Sequence, residues 1–138
     1  MAYLHFEKGC VSAGFIAGGR IIRGYNNYAG ELGLIPQDNE QLLDDYFAQT
    51  LDDIQYTDLV VKIICWICGI LNPRFISLGG PDLRTECVGA ISDSLVPLLP
   101  KRMLTEIVYS PDVWHDYHNG MAYLTAGKMF DEVSLVKE

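Results

Sequence analysis

This sequence has little positive charge. Ten Lys and Arg stand against eighteen Asp and Glu, a formal net charge of −8. Sequence-independent binding to a phosphate backbone needs clustered Lys and Arg, which argues against a non-specific nucleic-acid binder. A basic module elsewhere in a longer chain stays open. Long apolar runs are missing too. The longest, IICWICGIL at residues 63–71, is shorter than a bilayer span, and Lys62 interrupts its upstream extension. The opening MAYLHFEKGC lacks the apolar stretch of a signal peptide. These absences predict a soluble, cytoplasmic protein without a membrane partner. Repeats, low-complexity segments and internal linkers are also lacking. With 49% hydrophobic and 20% charged residues, the composition excludes a disordered chain. A single domain over residues 1–138 is expected, long enough to bury a core.

Cysteine and histidine are sparse. Cys65 and Cys68 form a C-x-x-C, which reads either as a redox or metal pair or as two small apolar residues of a buried helix. The second reading is favoured. The pair lies inside DLVVKIICWICGIL rather than in a turn, and no second pair completes four ligands. His115 and His118 in WHDYHNG stand three apart beside Asp116 but lack a third ligand at suitable spacing, so this stretch reads as a polar loop.

What is present is a clear succession of elements. AYLHFEK alternates as a strand, and VSAGFIAGGRIIRG reads as a hairpin with strands 11–17 and 20–23 about Gly18-Gly19. Arg20 and Arg23 alternate with Ile21 and Ile22 as solvent-side charges. QLLDDYFAQTLDDIQ carries Leu42, Leu43, Tyr46, Phe47, Leu51 and Ile54 near helical spacing. Residues 57–71 are apolar on almost every side, as in an enclosed helix, and Asn72-Pro73 stops them. RFISLGG reads as a strand. Pro81 suits the first turn of an amphipathic helix with Leu83, Cys87, Ile91, Leu95 and Leu98 on one side. TEIVYSP is another strand. GMAYLTAGKMFDEVSLV closes the chain as a helix with Ala122, Ala126, Met129, Phe130 and Val133 on one side. Strands, a long helical region, then strand–helix–strand–helix predict an α/β domain with a mostly parallel sheet. Val60, Val61, Ile63, Ile64, Trp66, Ile67 and Ile70 give helix 57–71 more apolar faces than one sheet covers. A homo-oligomer, or another lobe, is expected over the surplus.

Two places can carry chemistry. At SLGGPDL a strand feeds a helix through Gly79 and Gly80, which lets a ligand approach the backbone; the same glycines also serve as turn formers. In YAGELGL, Glu31 stands between glycines and apolar residues, either as a solvated loop acid or as an oriented acceptor for sugar hydroxyls. Trp66 and Trp114 offer sugar-stacking surfaces, although Trp66, in the buried helix, is better assigned to core or interface packing.

The stretch AGFIAGGRIIRGYNNYAGEL resembles the strand–hairpin segment of the ROK family (repressors, open reading frames and sugar kinases) that ends in A-G-E-x-G-H. ILNPRFISLGG is similar to that family's strand before its double glycine, and GMAYLTAGKMF to its closing helix. The resemblance covers the second half of a family member. It implies the C-terminal lobe of an actin-like (sugar kinase, ribonuclease H-like) fold, a mixed sheet with helices packed on it. By position it implies that Glu31 is a sugar-hydroxyl ligand and that Gly79 and Gly80 lie against a nucleotide. Departures are equally informative. The family's phosphate hairpin G-T-G-I-G aligns with KGCVS, its zinc- and sugar-binding His aligns with Leu34, and its cysteine-rich zinc motif is missing. The lobe with D-x-G-x-T and the catalytic aspartate is not in this sequence, so no catalytic residue is assigned. The resemblance thus implies the C-terminal ligand-sensing lobe of a ROK-type transcriptional regulator without catalysis. Its ligand is a sugar or sugar phosphate, it binds no zinc, and it meets DNA only through an N-terminal module. The alternative is the C-terminal lobe of an ATP-dependent sugar kinase using ATP and Mg. A remnant that makes only protein contacts is the third reading.

Overall fold

The computed structural model describes residues 1–37 and 41–131. Among the described residues, five strands form one mixed sheet: β1 (Ala2–Glu7), β2 (Cys10–Ala17), β3 (Arg20–Ile22), β4 (Phe75–Gly79) and β5 (Glu106–Tyr109). Their order is β3-β2-β1-β4-β5. β1, β2 and β3 run antiparallel, whereas β4 and β5 join β1 in parallel. The sheet is therefore half antiparallel, not mostly parallel as expected, because two tight turns fold the first three strands back on one another. Lys8-Gly9 (φ 53° and 71°) and Gly18-Gly19 (φ 57° and 74°) both adopt the left-handed backbone that two-residue hairpins need.

β1 alternates strictly. Ala2, Leu4 and Phe6 are buried on one face, while Tyr3, His5 and Glu7 are half-buried on the other. The first face meets α1 (Leu43–Phe47), α2 (Asp53–Leu71) and α3 (Val88–Leu95) in a core that includes Ile63, Ile64, Ile76, Leu78 and Ile91. The second face meets α4 (Val113–Asp131), where the Tyr3 hydroxyl donates to Asp116 Oδ2 at 3.5 Å. Burial, and then the Asp116 carboxylate, raise the Tyr3 phenol above its ordinary pKa.

Several boundaries depart from the sequence reading. The helical spacing over residues 41–55 splits into α1 and the start of α2. The Asp52 carboxylate accepts from Gln55 N–H at 2.8 Å and Gln55 Oε1 accepts from Asp52 N–H at 3.0 Å, a reciprocal cap that starts α2. Asn72 ends α2 in the left-handed conformation (φ 43°). Pro81 does not open a helix. Residues 80–83 are held as a turn, and the chain becomes helical only with a 3-10 turn at Thr85–Cys87 ahead of α3. α3 is shorter than its spacing predicted, so Leu98 lies beyond it and is exposed. WHDYHNG is not a loop. Asp112 Oδ1 accepts from His115 N–H at 2.9 Å and caps α4, so His115 and His118 are exposed helical residues. Of the apolar stripe expected on the closing helix, Ala122 and Ala126 are exposed, and the side chains of Met129, Phe130 and Val133 lie outside the described residues.

α2 is, from Asp53 to Leu71, long and apolar enough to cross a membrane by length and composition alone. In this fold it is the core helix. Val60, Val61, Ile63, Ile64 and Ile67 are buried within the chain, Trp66 is half-buried under Lys62, and Ile70 is exposed. The apolar surplus left for another subunit is thus smaller than the helix alone predicted.

Candidate functional site

The parallel strands β1, β4 and β5 end on one side of the sheet, and the order of connections reverses between β1 and β4. Such ends are where open α/β sheets gather ligands. A cavity of about 780 Å³ lies there on the α4 side. β1 contributes His5 and Glu7; the β4–α3 connection contributes Gly80, Pro81, Leu83 and Thr85; the β5–α4 connection and first helical turns contribute residues 110–114 and Tyr117. His5 Nε2 and Lys8 Nζ each approach a Glu7 carboxylate oxygen at 3.3 Å. These two partners hold the Glu7 carboxyl below its ordinary pKa. Trp114 is 73% exposed, with Tyr117 edge-on to it at 6.2 Å and His118 at 6.5 Å.

Gly80 sits at the lip of this cavity for a packing reason. Its φ is +116°, and a Cβ would strike the backbone of Phe6. Asp82 N–H donates to Phe6 O at 3.1 Å, so the loop after β4 crosses the end of β1. Gly79 is buried beneath Tyr3, whose phenol occupies the space a side chain would need. Both glycines predicted to face a nucleotide therefore have close protein neighbours, and only Gly80 lines the cavity.

Glu31 lies elsewhere. It is exposed, precedes a 3-10 turn at Leu32–Leu34, and is not among the residues lining the strand-end cavity. The glycines around it serve packing. Gly30, at φ +102°, lies against the Ala13 carbonyl, and its own carbonyl accepts from Ala13 N–H at 2.7 Å. Gly33 leaves room for the Asp44 carboxylate. That carboxylate in turn accepts from Val11 N–H at 3.0 Å. Leu34, where the resemblance aligns a His, is 63% exposed, and among the described residues no three His, Cys, Asp or Glu side chains converge as a metal would need.

A second, smaller cavity of about 280 Å³ lies behind the β1–β2 hairpin, between Gly9, Cys10, Phe47, Tyr56, Asp82 and Arg84. Gly9 N–H donates to Asp82 Oδ2 at 3.3 Å. Arg84 stacks on the Tyr56 ring at 4.8 Å while bonding Asp53 Oδ1 and Leu51 O, both at 2.9 Å. The buried Tyr56 hydroxyl has no hydrogen-bond partner among the described residues. Burial pushes its pKa up to about 12, against a weaker opposing pull from Arg84. Cys65 and Cys68 stand on α2, half-buried and buried, with burial raising both thiols. That environment is the reverse of the electropositive one a redox pair uses.

Sequence reasoning did not assemble His5, Glu7, Asp112, Trp114 and Tyr117. The alternation of β1 was the available signal, since it puts His5 and Glu7 on the face opposite Leu4 and Phe6. The chain matches no protein-family model and no curated protein.

Proposed function

We propose that this chain is the C-terminal ligand-sensing lobe of a ROK-type transcriptional regulator, on an actin-like fold, without kinase chemistry. The mixed sheet and the order of its elements agree with the lobe that the resemblance implies. The observation that carries sensor over kinase is the state of the β1–β2 hairpin. Its Gly9 and Val11 N–H groups, which a phosphate would need as donors, are engaged by the carboxylates of Asp82 and Asp44 at 3.3 and 3.0 Å. A phosphate brought there meets two negative charges, and Lys8, the one basic side chain in the turn, is paired with Glu7. Phosphoryl transfer depends on positioning and charge stabilisation around the phosphate, and in this reading the hairpin no longer offers its N–H groups for that. In this reading DNA is contacted through a segment outside these 138 residues, and the assembly is a homo-oligomer. The test is coupled ADP release with ATP, Mg and a hexose panel. The expected result is no sugar-dependent release above a no-protein control, with sugar binding detectable by calorimetry; sugar-dependent turnover selects the kinase instead.

A further inference from the structure

We propose that the strand-end cavity is itself a sugar site, for a neutral, unphosphorylated hexopyranose that stacks on Trp114 and gives its hydroxyls to Glu7, His5 and Asp112. This rests on the sensor reading and narrows its ligand. A pyranose has an apolar C–H face and a polar rim, and the cavity is divided in the same way. Leu83, Pro111 and Val113 supply apolar wall, while the carboxylates and the imidazole stand on the β1 side and at the start of α4. Its volume, about 780 Å³, is in the range of small-molecule sites and takes a hexose with some water.

Trp114 is the observation that most asks for a ligand. An indole 73% exposed at a cavity wall leaves apolar surface in water, while Tyr117 at 6.2 Å and 83° braces its orientation. Stacking a sugar face removes that surface from solvent. Glu7 is also within reach of a ligand. Its side chain is 44% exposed, so hydroxyl donors can meet the carboxylate beside His5 and Lys8.

The sign of the charge sets the ligand class. Among the described residues the lining carries Glu7 and Asp112 and no Lys or Arg. Lys8, the cation next to it, is 86% exposed and bound to Glu7 from outside the lining. A phosphate in the cavity would lie against carboxylates without a paired cation. A free sugar meets these carboxylates as acceptors, with the His5 imidazole and the Ser110 and Thr85 hydroxyls beside them.

The test uses fluorine NMR on protein carrying 5-fluorotryptophan, with Trp114 assigned by Trp114→Phe. The probes are D-glucose, D-mannose, D-galactose and D-allose, each with its 6-phosphate. At least one free hexose is expected to shift the Trp114 resonance saturably, with its 6-phosphate at least tenfold weaker. Trp114→Ala and Glu7→Gln are each expected to weaken that hexose at least tenfold by calorimetry at unchanged melting temperature. A 6-phosphate that binds as tightly, a Trp114 resonance that no hexose moves, or full affinity in Trp114→Ala overturns the proposal. If hexose binding is lost in Glu31→Gln but kept in Trp114→Ala, this site falls and the sensor reading stands. If no sugar or sugar phosphate binds at all, both fall.

Discussion

Replacing Tyr56 with Phe should stabilise the protein. The residue is 3% exposed, and its hydroxyl has no partner among the described residues. An unpartnered hydroxyl taken from water costs about 1 to 3 kcal/mol. Phe keeps what the ring does: its packing against Phe6 and Phe47, at 5.9 and 6.0 Å, and the Arg84 guanidinium at 4.8 Å. The small void left by one oxygen offsets part of the gain. The expected net is about 1 kcal/mol of stabilisation at neutral pH, or roughly 3 to 5 °C in melting temperature for a chain of this length. Alkaline pH enlarges the difference. The Tyr56 phenol is held up to about 12 in the fold, above an unfolded value of about 10. A folded pKa above the unfolded one means the contribution is whole below about pH 10 and is lost as pH rises through about 12, on the order of 2 kcal/mol. Urea unfolding of both proteins at pH 7 and pH 11 measures it, and the advantage of Tyr56→Phe should grow at the higher pH. Destabilisation of Tyr56→Phe by 1 kcal/mol or so at pH 7 would refute the reasoning. The hydroxyl would then be hydrogen-bonded in solution, to the Arg84 N–H or to a water.

Other outcomes follow from the same geometry. Gly80→Ala puts a Cβ into the Phe6 backbone at a left-handed φ of +116°, and should cost about 3 kcal/mol or more in urea unfolding. Gly14→Ala, with open space around the added carbon, should be close to neutral, and equal costs at the two sites would discount the steric account. Glu31→Gln should leave stability within about 0.5 kcal/mol, because the side chain is exposed. If Glu31 is a sugar ligand, the same change weakens sugar binding roughly ten- to a hundredfold, the loss of a hydrogen bond to a charged group; unchanged affinity reduces it to a loop residue. Melting temperature should not respond to chelator, and one zinc per chain after dialysis would contradict the ligand count.

The order of elements was legible in the residues, and so was most of the core. Period-two alternation marked β1, Gly18-Gly19 marked the hairpin, and Asn72-Pro73 marked the end of α2, because each acts through backbone conformations that depend on immediate neighbours. Helix starts were less legible. Asp112 caps α4 and Asp52 caps α2, two short local signals that broader apolar spacing concealed. Pro81 misled in the opposite sense. Its type suits a helix start, but hydrogen bonds from Asp82 to Phe6 and from Gly9 to Asp82 hold that loop as a turn.

The candidate site divides along the same line. Composition alone determined an acidic chain with a sizeable apolar core, and local pattern determined which residues alternate on β1. Tertiary structure alone decided that His5 and Glu7 meet Asp112 and Trp114, more than a hundred positions away, because parallel pairing of β1 with β4 and of β4 with β5 brings three distant strand ends together. It also decided what the glycines are for. Gly30, Gly79 and Gly80 lie where Ala13, Tyr3 and Phe6 come too close for a Cβ. At these three the packed chain shows that the close neighbour is the protein itself, whereas Gly14, Gly18 and Gly19 have open space around an added Cβ.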